Sequence, residues 1–180
     1  MKPELVDPIE WEKIGKHIDE EFGKGITKKL LGDLVPVVMA NEKVRSFYLI
    51  PMKWVAILEE GFEGFDVRLL GLWLGDISSD KLQLSLPIQE RLAPLTENIL
   101  VVTKQAAQVF TYGKSVIREG VVHLKTSLKR KQRVIVQDRE GNVLGLAMLV
   151  VDAFMRHQIG KDRLVARNLI DVGWYLRRMG

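Results

Sequence analysis

The chain has 180 residues, 47% of them hydrophobic and 28% charged, which is typical of a folded globular protein and excludes a disordered one. It has no cysteine, which excludes disulfide bonds and thiolate metal sites and fits a reducing cytosol. The net charge of +4 is uneven, because residues 1–103 carry 12 Lys and Arg against 17 Asp and Glu (−5) and residues 104–180 carry 15 against 6 (+9).

The first predicted element is a helix from Pro8 to Phe22. Asp7 can cap it, Pro8 suits its first position, and Glu10 can reach back to complete a capping box. Apolar residues then recur at helical spacing as far as Phe22, and Gly23 ends the helix.

The rest of the N-terminal half is predicted to contain more strand than helix. The segment Asn41–Glu42 separates two apolar, β-branched runs and predicts a hairpin turn. In the short helix that follows, Trp54, Val55 and Leu58 are expected to point inward. The two hairpin strands are predicted at residues 34–40 and 44–50, and the short helix at residues 51–60. Two further strands are predicted at residues 67–77 and 82–86.

Composition and charge change within residues 91–97, where we place a domain boundary. The sequence therefore predicts an N-terminal domain, residues 1–92, and a C-terminal domain, residues 95–180. The fold class is α/β (α+β): the first domain has a mainly antiparallel sheet, and the second is a small β barrel or sandwich with short helices.

Many short strands separated by glycine turns define the C-terminal half. Residues 138–142 read as a hairpin loop with the permissive Gly141, and residues 155–162 as a polar loop. Asn168 is expected to cap a closing helix over residues 169–178. One further short helix is predicted over residues 104–110. The predicted strands lie at 98–102, 116–117, 121–124, 133–137, 143–151 and 163–167.

No catalytic or metal-binding set emerges, so we expect neither an enzyme nor a cofactor. The tail of a P-loop pattern at Gly113 lacks its first glycine, because that position is Gln108. The histidines are scattered, and the carboxylates at residues 19–21 are more typical of a solvated helix face than of acid–base catalysis. Residues 1–7 do not resemble a signal peptide, and no apolar run approaches the roughly 20 residues that cross a bilayer, so no membrane association is expected.

The positive signal is basic residues in two places. In the last predicted strand, alternation puts Arg163, Val165 and Arg167 on an outer face, with the two arginines about 13 Å apart, a spacing suited to phosphates on an extended strand. Arginine binds phosphate bidentately and can stack on bases, so these residues predict contact with single-stranded RNA. The alternative is solubilising charge on an exposed edge. Three residues of the preceding loop could extend this surface: Arg156, His157 and Lys161.

The second place is the run Lys129, Arg130, Lys131 and Arg133, which leads into a strand. Such a run is often a flexible loop that guides a polyanion by long-range attraction, and it is equally typical of a solvated turn ahead of an apolar strand. Exposed aromatics for base stacking are not obvious, although Tyr112 is the best candidate for exposure.

Glycine turns and β-branched runs recur from Asn98 onward, at Gly113–Val116, Gly120, Val134–Val136 and Asp138–Leu146. On these residues this half of the sequence resembles a PUA domain, a small RNA-binding pseudo-barrel.

Four further blocks extend over both halves of the chain: Leu70–Gly75, Leu92–Pro94, Val109–Lys114 and, most specific of all, Asn168–Arg178. On these blocks the chain, over roughly residues 45–178, is similar to the Nip-seven family of large-subunit ribosome biogenesis proteins.

The resemblance implies non-catalytic binding of single-stranded, uridine-rich RNA and a role in ribosomal RNA maturation. Arg163 and Arg167 correspond to the basic final strand of the family, but no cation lies between them, so affinity or footprint is expected to differ from more basic relatives. We also expect a monomer whose acidic N-terminal domain binds ribosome assembly factors or RNA-processing proteins. The absence of cysteine and the short chain favour an archaeal cytosolic protein, and a eukaryotic one would be nucleolar or nuclear.

Two other functions stay open at the level of the sequence. An RNA-modification enzyme or its accessory subunit could use the PUA domain for substrate delivery, but it would need a catalytic Asp or Cys within residues 1–92, and no cysteine exists. A protein–protein adaptor would use its charge only for solubility. A steep salt dependence of RNA affinity would distinguish RNA binding from the adaptor function.

Overall fold

The computed structural model describes residues 2–41, 44–61, 67–78, 81–174 and 177. The chain divides into two compact units, Met1–Leu95 and Thr96–Gly180. Among the described residues, no helix is both long and apolar enough to cross a membrane.

The N-terminal unit contains a five-stranded antiparallel sheet in the order β1-β2-β3-β4-β5. Its strands are Pro3–Leu5 (β1), Leu34–Ala40 (β2), Arg45–Pro51 (β3), Leu72–Ser78 (β4) and Lys81–Leu84 (β5). Its helices are Pro8–Phe22 (α1), Ile26–Leu31 (α2), Val55–Glu60 (α3) and Leu86–Leu92 (α4), with 3₁₀ helices at Met52–Trp54 and Ala93–Leu95.

The first helix and the β2–β3 hairpin are confirmed. The Asp7 carboxylate caps α1 by accepting hydrogen bonds from the backbone N–H groups of Ile9 and Glu10. The predicted capping box is wrong in its second half, because the Glu10 carboxylate accepts from the guanidinium of Arg45 in β3, at 2.8 Å for one of the two contacts. Glu10 therefore forms an ion pair with a distant strand instead of the hydrogen bond to the helix end that the local sequence predicted.

Several N-terminal elements differ from the prediction. Strand β1 and helices α2 and α4 were not predicted. The strand that was expected from residue 67 begins only at Leu72. Leu86, expected to end a strand, instead begins α4, because the Ser85 hydroxyl caps that helix by accepting from Ile88 N–H and a proline occupies its first turn. Trp54, expected inward, is 36% exposed because it lies in the 3₁₀ helix ahead of α3, whereas Leu58 is buried as predicted.

Asp19 joins α1 to α2 by hydrogen bonds. Its carboxylate accepts from Gly25 N–H at 2.8 Å and Thr27 N–H at 2.7 Å, and the Thr27 hydroxyl donates to Gly15 O at 2.8 Å. Burial alone would raise the pKa of Asp19, but the hydrogen bonds from Thr27 and Gly25 outweigh it and hold the pKa below its ordinary value of 3.8. The ionised carboxylate therefore stabilises the fold.

This arrangement predicts a pH-dependent cost for Asp19→Ala. Because the folded pKa is lowered, the stabilisation is complete above the unfolded pKa of 3.8 and is lost as the pH falls through the folded value. We expect the variant to lose about 1 kcal/mol at pH 7 and less below pH 3.8. Urea unfolding followed by tryptophan fluorescence measures this, since Trp11, Trp54 and Trp73 lie in the N-terminal unit. The control Glu12→Ala removes an exposed carboxylate from the same helix, and equal pH dependence of the two variants would refute the assignment.

The C-terminal unit contains a six-stranded, barrel-like sheet in the order β7-β11-β10-β9-β6-β8, antiparallel except for the β6–β9 pair. Its strands are Ile99–Val102 (β6), Val116–Ile117 (β7), Val121–Leu124 (β8), Arg133–Gln137 (β9), Val143–Leu149 (β10) and Leu164–Asp171 (β11). Helix Lys104–Thr111 (α5) and 3₁₀ helices at Arg118–Gly120 and Ala153–Gln158 complete the unit. The core includes Phe110 of α5 together with Val134, Ala147 and Ala166 of the sheet.

The predicted closing helix is wrong at its start. Asn168 is not a helix cap but lies inside β11, opposite Ala147 of β10, and its side-chain amide donates to Phe110 O at 2.9 Å. The strand continues to Asp171, and the described residues after it become helical at Gly173. Residues 168–171 form a strand because they pair with β10, and this pairing cannot be predicted from the local sequence.

Arg177 has a structural role through an ion pair and a backbone contact. Its guanidinium donates to the buried Asp171 carboxylate at 2.8 and 3.1 Å and to Thr111 O at 2.6 Å, which joins the end of α5 to the end of β11. Residues 175, 176 and 178, which also belong to the predicted helix, lie outside the described residues.

Candidate nucleic-acid interface

Arg163 and Arg167 both lie at the surface, but the residues between them do not alternate between the two faces of the sheet as predicted. Arg163 precedes the strand and Arg167 lies within it, and both are exposed. Val165, predicted to share their outer face, is fully buried together with Ala166. Leu164 pairs with Ile117 and Ala166 pairs with Val116. The chain advances by two residues on β11 but by only one on β7, so Val165 is the extra residue of a β-bulge. The predicted alternation is therefore wrong at Val165.

Three neighbouring strands align Arg167, Met148 and Arg133 as direct cross-strand partners. Residues opposite each other in a sheet share a face, and the adjacent pair Ala147 and Val134 is buried in the core, so this row faces outward. Since adjacent strands lie about 4.8 Å apart, the backbones at the two arginines are about 10 Å apart. The row has the half-buried Met148 at its centre, with the exposed Arg167 on one side and the half-buried Arg133 on the other.

The run of cations from Lys129 is a turn tied to the end of β10. Lys131 N–H donates to Leu149 O at 2.8 Å, and Arg130 N–H donates to the Asp152 carboxylate at 2.8 Å. The backbone of Lys131 has φ +74, the left-handed conformation that closes such a turn. The segment is therefore a hydrogen-bonded turn, and its cationic side chains at residues 129–131 are exposed.

The loop between β10 and β11 carries the remaining predicted residues. Its end is fixed against the 3₁₀ helix Arg118–Gly120, because Arg118 N–H donates to Arg163 O at 2.9 Å and Glu119 N–H to Lys161 O at 3.0 Å. Within the 3₁₀ helix Ala153–Gln158, the Arg156 Nε–H donates to His157 Nε2 at 3.1 Å. The expected irregular loop is thus partly helical.

The topology brings these segments together, because the start of β9, the end of β10 and the start of β11 lie at one end of the barrel. Segments 129–133 and 150–167 contain 8 Lys and Arg against 2 Asp (+6), most of the +8 that residues 96–180 carry (15 against 7). We call this surface the basic end. It comprises Lys129, Arg130, Lys131, Arg133, Arg156, His157, Lys161, Arg163 and Arg167.

Sequence reasoning missed one residue of this surface, Phe154. Its side chain is 47% exposed, and the Lys129 ammonium lies 4.9 Å from its ring centroid. The available signal was an aromatic residue directly ahead of a polar, basic segment, Met155 to Lys161. Tyr112 is exposed as predicted, at 74%, but it follows α5, beside the opposite end of β11.

The acidic clusters show structural partners. The lowered pKa of Asp19 moves it away from the near-neutral range that suits a general acid or base, and Glu20 pairs with Lys16 at 3.9 Å. Among the residues that the structure describes, no group of three or more His, Asp or Glu side chains is placed to hold a metal ion.

Comparisons with known proteins agree with this architecture. Residues 98–180 match the family model of the UPF0113 PUA domain, while no curated protein matches the sequence. A conserved PUA domain protein from Thermoplasma acidophilum is 17% identical, with a TM-score of 0.65 over 98% of both chains. A hypothetical protein from Pyrococcus horikoshii is 12% identical, with a TM-score of 0.67 over 97% of this chain and 98% of the other.

A PUA domain structure from Aeropyrum pernix, solved with tartrate, is 11% identical, with a TM-score of 0.60 over 98% of this chain and 90% of the other. At these identities the likeness establishes the fold alone. The expected fold class is confirmed, whereas none of these matches supports the Nip-seven family specifically. The C-terminal unit is therefore similar to UPF0113 PUA domains, and the whole chain shares the fold of archaeal PUA domain proteins.

Proposed function

We propose that the chain binds single-stranded RNA through the basic end and that it acts without catalysis. The observation that carries this proposal is the convergence of two cationic segments, separate in sequence, at one end of the barrel. A polyanion placed there meets a field from many cations at once, and counterion release adds a favourable term for each phosphate neutralised. Because hydrogen bonds hold the backbones of both segments, little ordering has to accompany binding.

The shape of the basic end favours a single strand over a duplex. Double-stranded nucleic acid is usually read by an element that enters a groove, and the only helix in segments 129–133 and 150–167 is the six-residue Ala153–Gln158. The row Arg167, Met148 and Arg133 instead belongs to the outward face of a sheet and has cations on both sides of an apolar residue. Such a surface suits an extended chain whose phosphates contact arginines while its bases lie on apolar atoms.

The cellular role that we propose is ribosome assembly, with the RNA being a uridine-rich segment of the large-subunit precursor. The support for this role is the resemblance of residues 45–178 to the Nip-seven family. The acidic N-terminal unit, with 12 Lys and Arg against 16 Asp and Glu (−4), would then bind assembly factors rather than RNA. The absence of cysteine supports a cytosolic location.

A titration monitored by fluorescence anisotropy tests the proposal. Labelled oligo-U, oligo-A and duplex RNA are titrated with the full chain at two salt concentrations. We expect binding that prefers single-stranded uridine and weakens steeply with salt, with a slope of log affinity against log salt of about −3 if four cations each neutralise one phosphate. Absence of binding to every RNA at low salt would refute the proposal and favour the protein adaptor.

A further inference from the structure

We infer that Phe154 is the residue through which the basic end recognises an unpaired base. This inference rests on the proposed function and adds to it a residue that selects single strands. Its ring is 47% exposed in a unit whose other phenylalanine, Phe110, is fully buried. An exposed aromatic ring within a cationic surface is the combination that single-strand binding proteins use, because bases stack on the ring while the cations contact the phosphates.

The backbone on both sides of Phe154 is held by the core and by the cationic turn. Ala153, directly before it, is fully buried, and its N–H donates to Leu128 O at 3.0 Å. Asp152 accepts from Arg130 N–H through its carboxylate and from Met155 N–H through its carbonyl, at 2.8 and 3.0 Å. The backbone that carries Phe154 is therefore joined to the turn that carries Lys129 and Arg130.

The chemistry around the ring matches one nucleotide. The Lys129 ammonium lies 4.9 Å from the ring centroid, within the range of a cation–π contact. Phe154 nevertheless keeps 47% of its surface exposed, and a base would stack on this exposed part. Lys129 and Arg130, in the same turn, can reach the phosphates of that nucleotide. All four bases have a π face, so this contact is tolerant of sequence. In a duplex both faces of a base are covered by its neighbours, and stacking on Phe154 would then require that the base leave the helix.

The test uses the full chain and single-stranded oligo-U carrying one 2-aminopurine, whose fluorescence changes when its base stacks. We expect Phe154→Leu to weaken single-strand binding about tenfold, to remove the change in 2-aminopurine fluorescence and to narrow the preference for single strand over duplex. The slope of affinity against salt should stay unchanged, because every cation remains. Phe154→Trp, which retains an aromatic face, should keep both affinity and fluorescence change.

A matched control is Tyr112→Leu, which removes a more exposed aromatic from the far side of the same unit and should leave binding unchanged. If wild type and Phe154→Leu bind equally and give the same fluorescence change, the inference about Phe154 is wrong while RNA binding stands. If Tyr112→Leu abolishes the fluorescence change instead, the base stacks elsewhere and the inference is again wrong. If wild type binds no RNA, the proposed function itself fails. Circular dichroism of each variant confirms that it is folded.

Discussion

Replacing both Arg163 and Arg167 by alanine is expected to weaken binding to single-stranded RNA by about 10- to 100-fold. Both side chains are exposed at the basic end, so their loss removes phosphate contacts without opening a cavity. Each single-strand phosphate contact contributes about 0.7 to the slope of log affinity against log salt, so the slope should flatten by about 1.4. Anisotropy titrations at several salt concentrations measure both quantities.

The control for this variant removes the same net charge elsewhere. Arg139 lies in the hairpin loop at the other end of β9, about 15 Å along the strand. Lys104 begins α5 just after β6, which runs parallel to β9, so it lies at the same far end, and both side chains are exposed. Arg139→Ala combined with Lys104→Ala should lower affinity only slightly, through the general field. If the two double variants lose affinity equally, the effect comes from net charge and the site is wrongly placed. Wild-type affinity in a folded Arg163→Ala, Arg167→Ala variant would also disprove it.

The second large effect is expected for stability, in Gly145→Ala. Gly145 of β10 has φ +148, and a Cβ there would lie 2.1 Å from Ile170 O and 2.7 Å from the Asp171 Cα. Both atoms belong to the backbone of β11, so relief requires separating two paired strands at the centre of the sheet. We expect the free energy of unfolding of the C-terminal unit to fall by about 3 kcal/mol or more.

Urea unfolding followed by circular dichroism measures the loss, and Gly141→Ala is the matched control. Gly141 also has positive φ, +88, but nothing lies within 4 Å of the added Cβ. Its cost should be limited to the backbone conformation, about 1 kcal/mol. Equal losses in the two variants would show that conformation alone, and not the approach of β11, makes glycine necessary at residue 145.

Elements specified by adjacent residues were predictable from the sequence. Helix α1 begins where Asp7 caps it, and the loop 138–142 turns where the Asp138 carboxylate accepts from the N–H groups of Glu140 and Asn142, at 3.0 and 2.9 Å. These contacts span two to four residues, so the sequence contains both partners. The same holds for the buried apolar run 134–136 of β9.

Elements that depend on distant partners were not predictable. Asn168 fits a helix cap by its local sequence, yet pairing with β10 and the hydrogen bond to Phe110 hold it in a strand. Val165 fits an outer face by alternation, yet a bulge against β7 turns it into the core. In both cases the free energy of a ladder formed with residues 17 or more positions away exceeds a local preference that is small for any single residue.

The candidate site divides in the same way. The sequence by itself determined that the C-terminal half is basic, that 8 of its 15 Lys and Arg fall in two segments, and that Arg163 and Arg167 belong to one of them, because charge is a property of each residue. Only the tertiary structure decided that Arg133 and Arg167 flank Met148, and that Lys129 lies over Phe154. The physical reason is that hydrogen bonding between β9, β10 and β11 brings together residues that lie 15 to 34 positions apart in the chain.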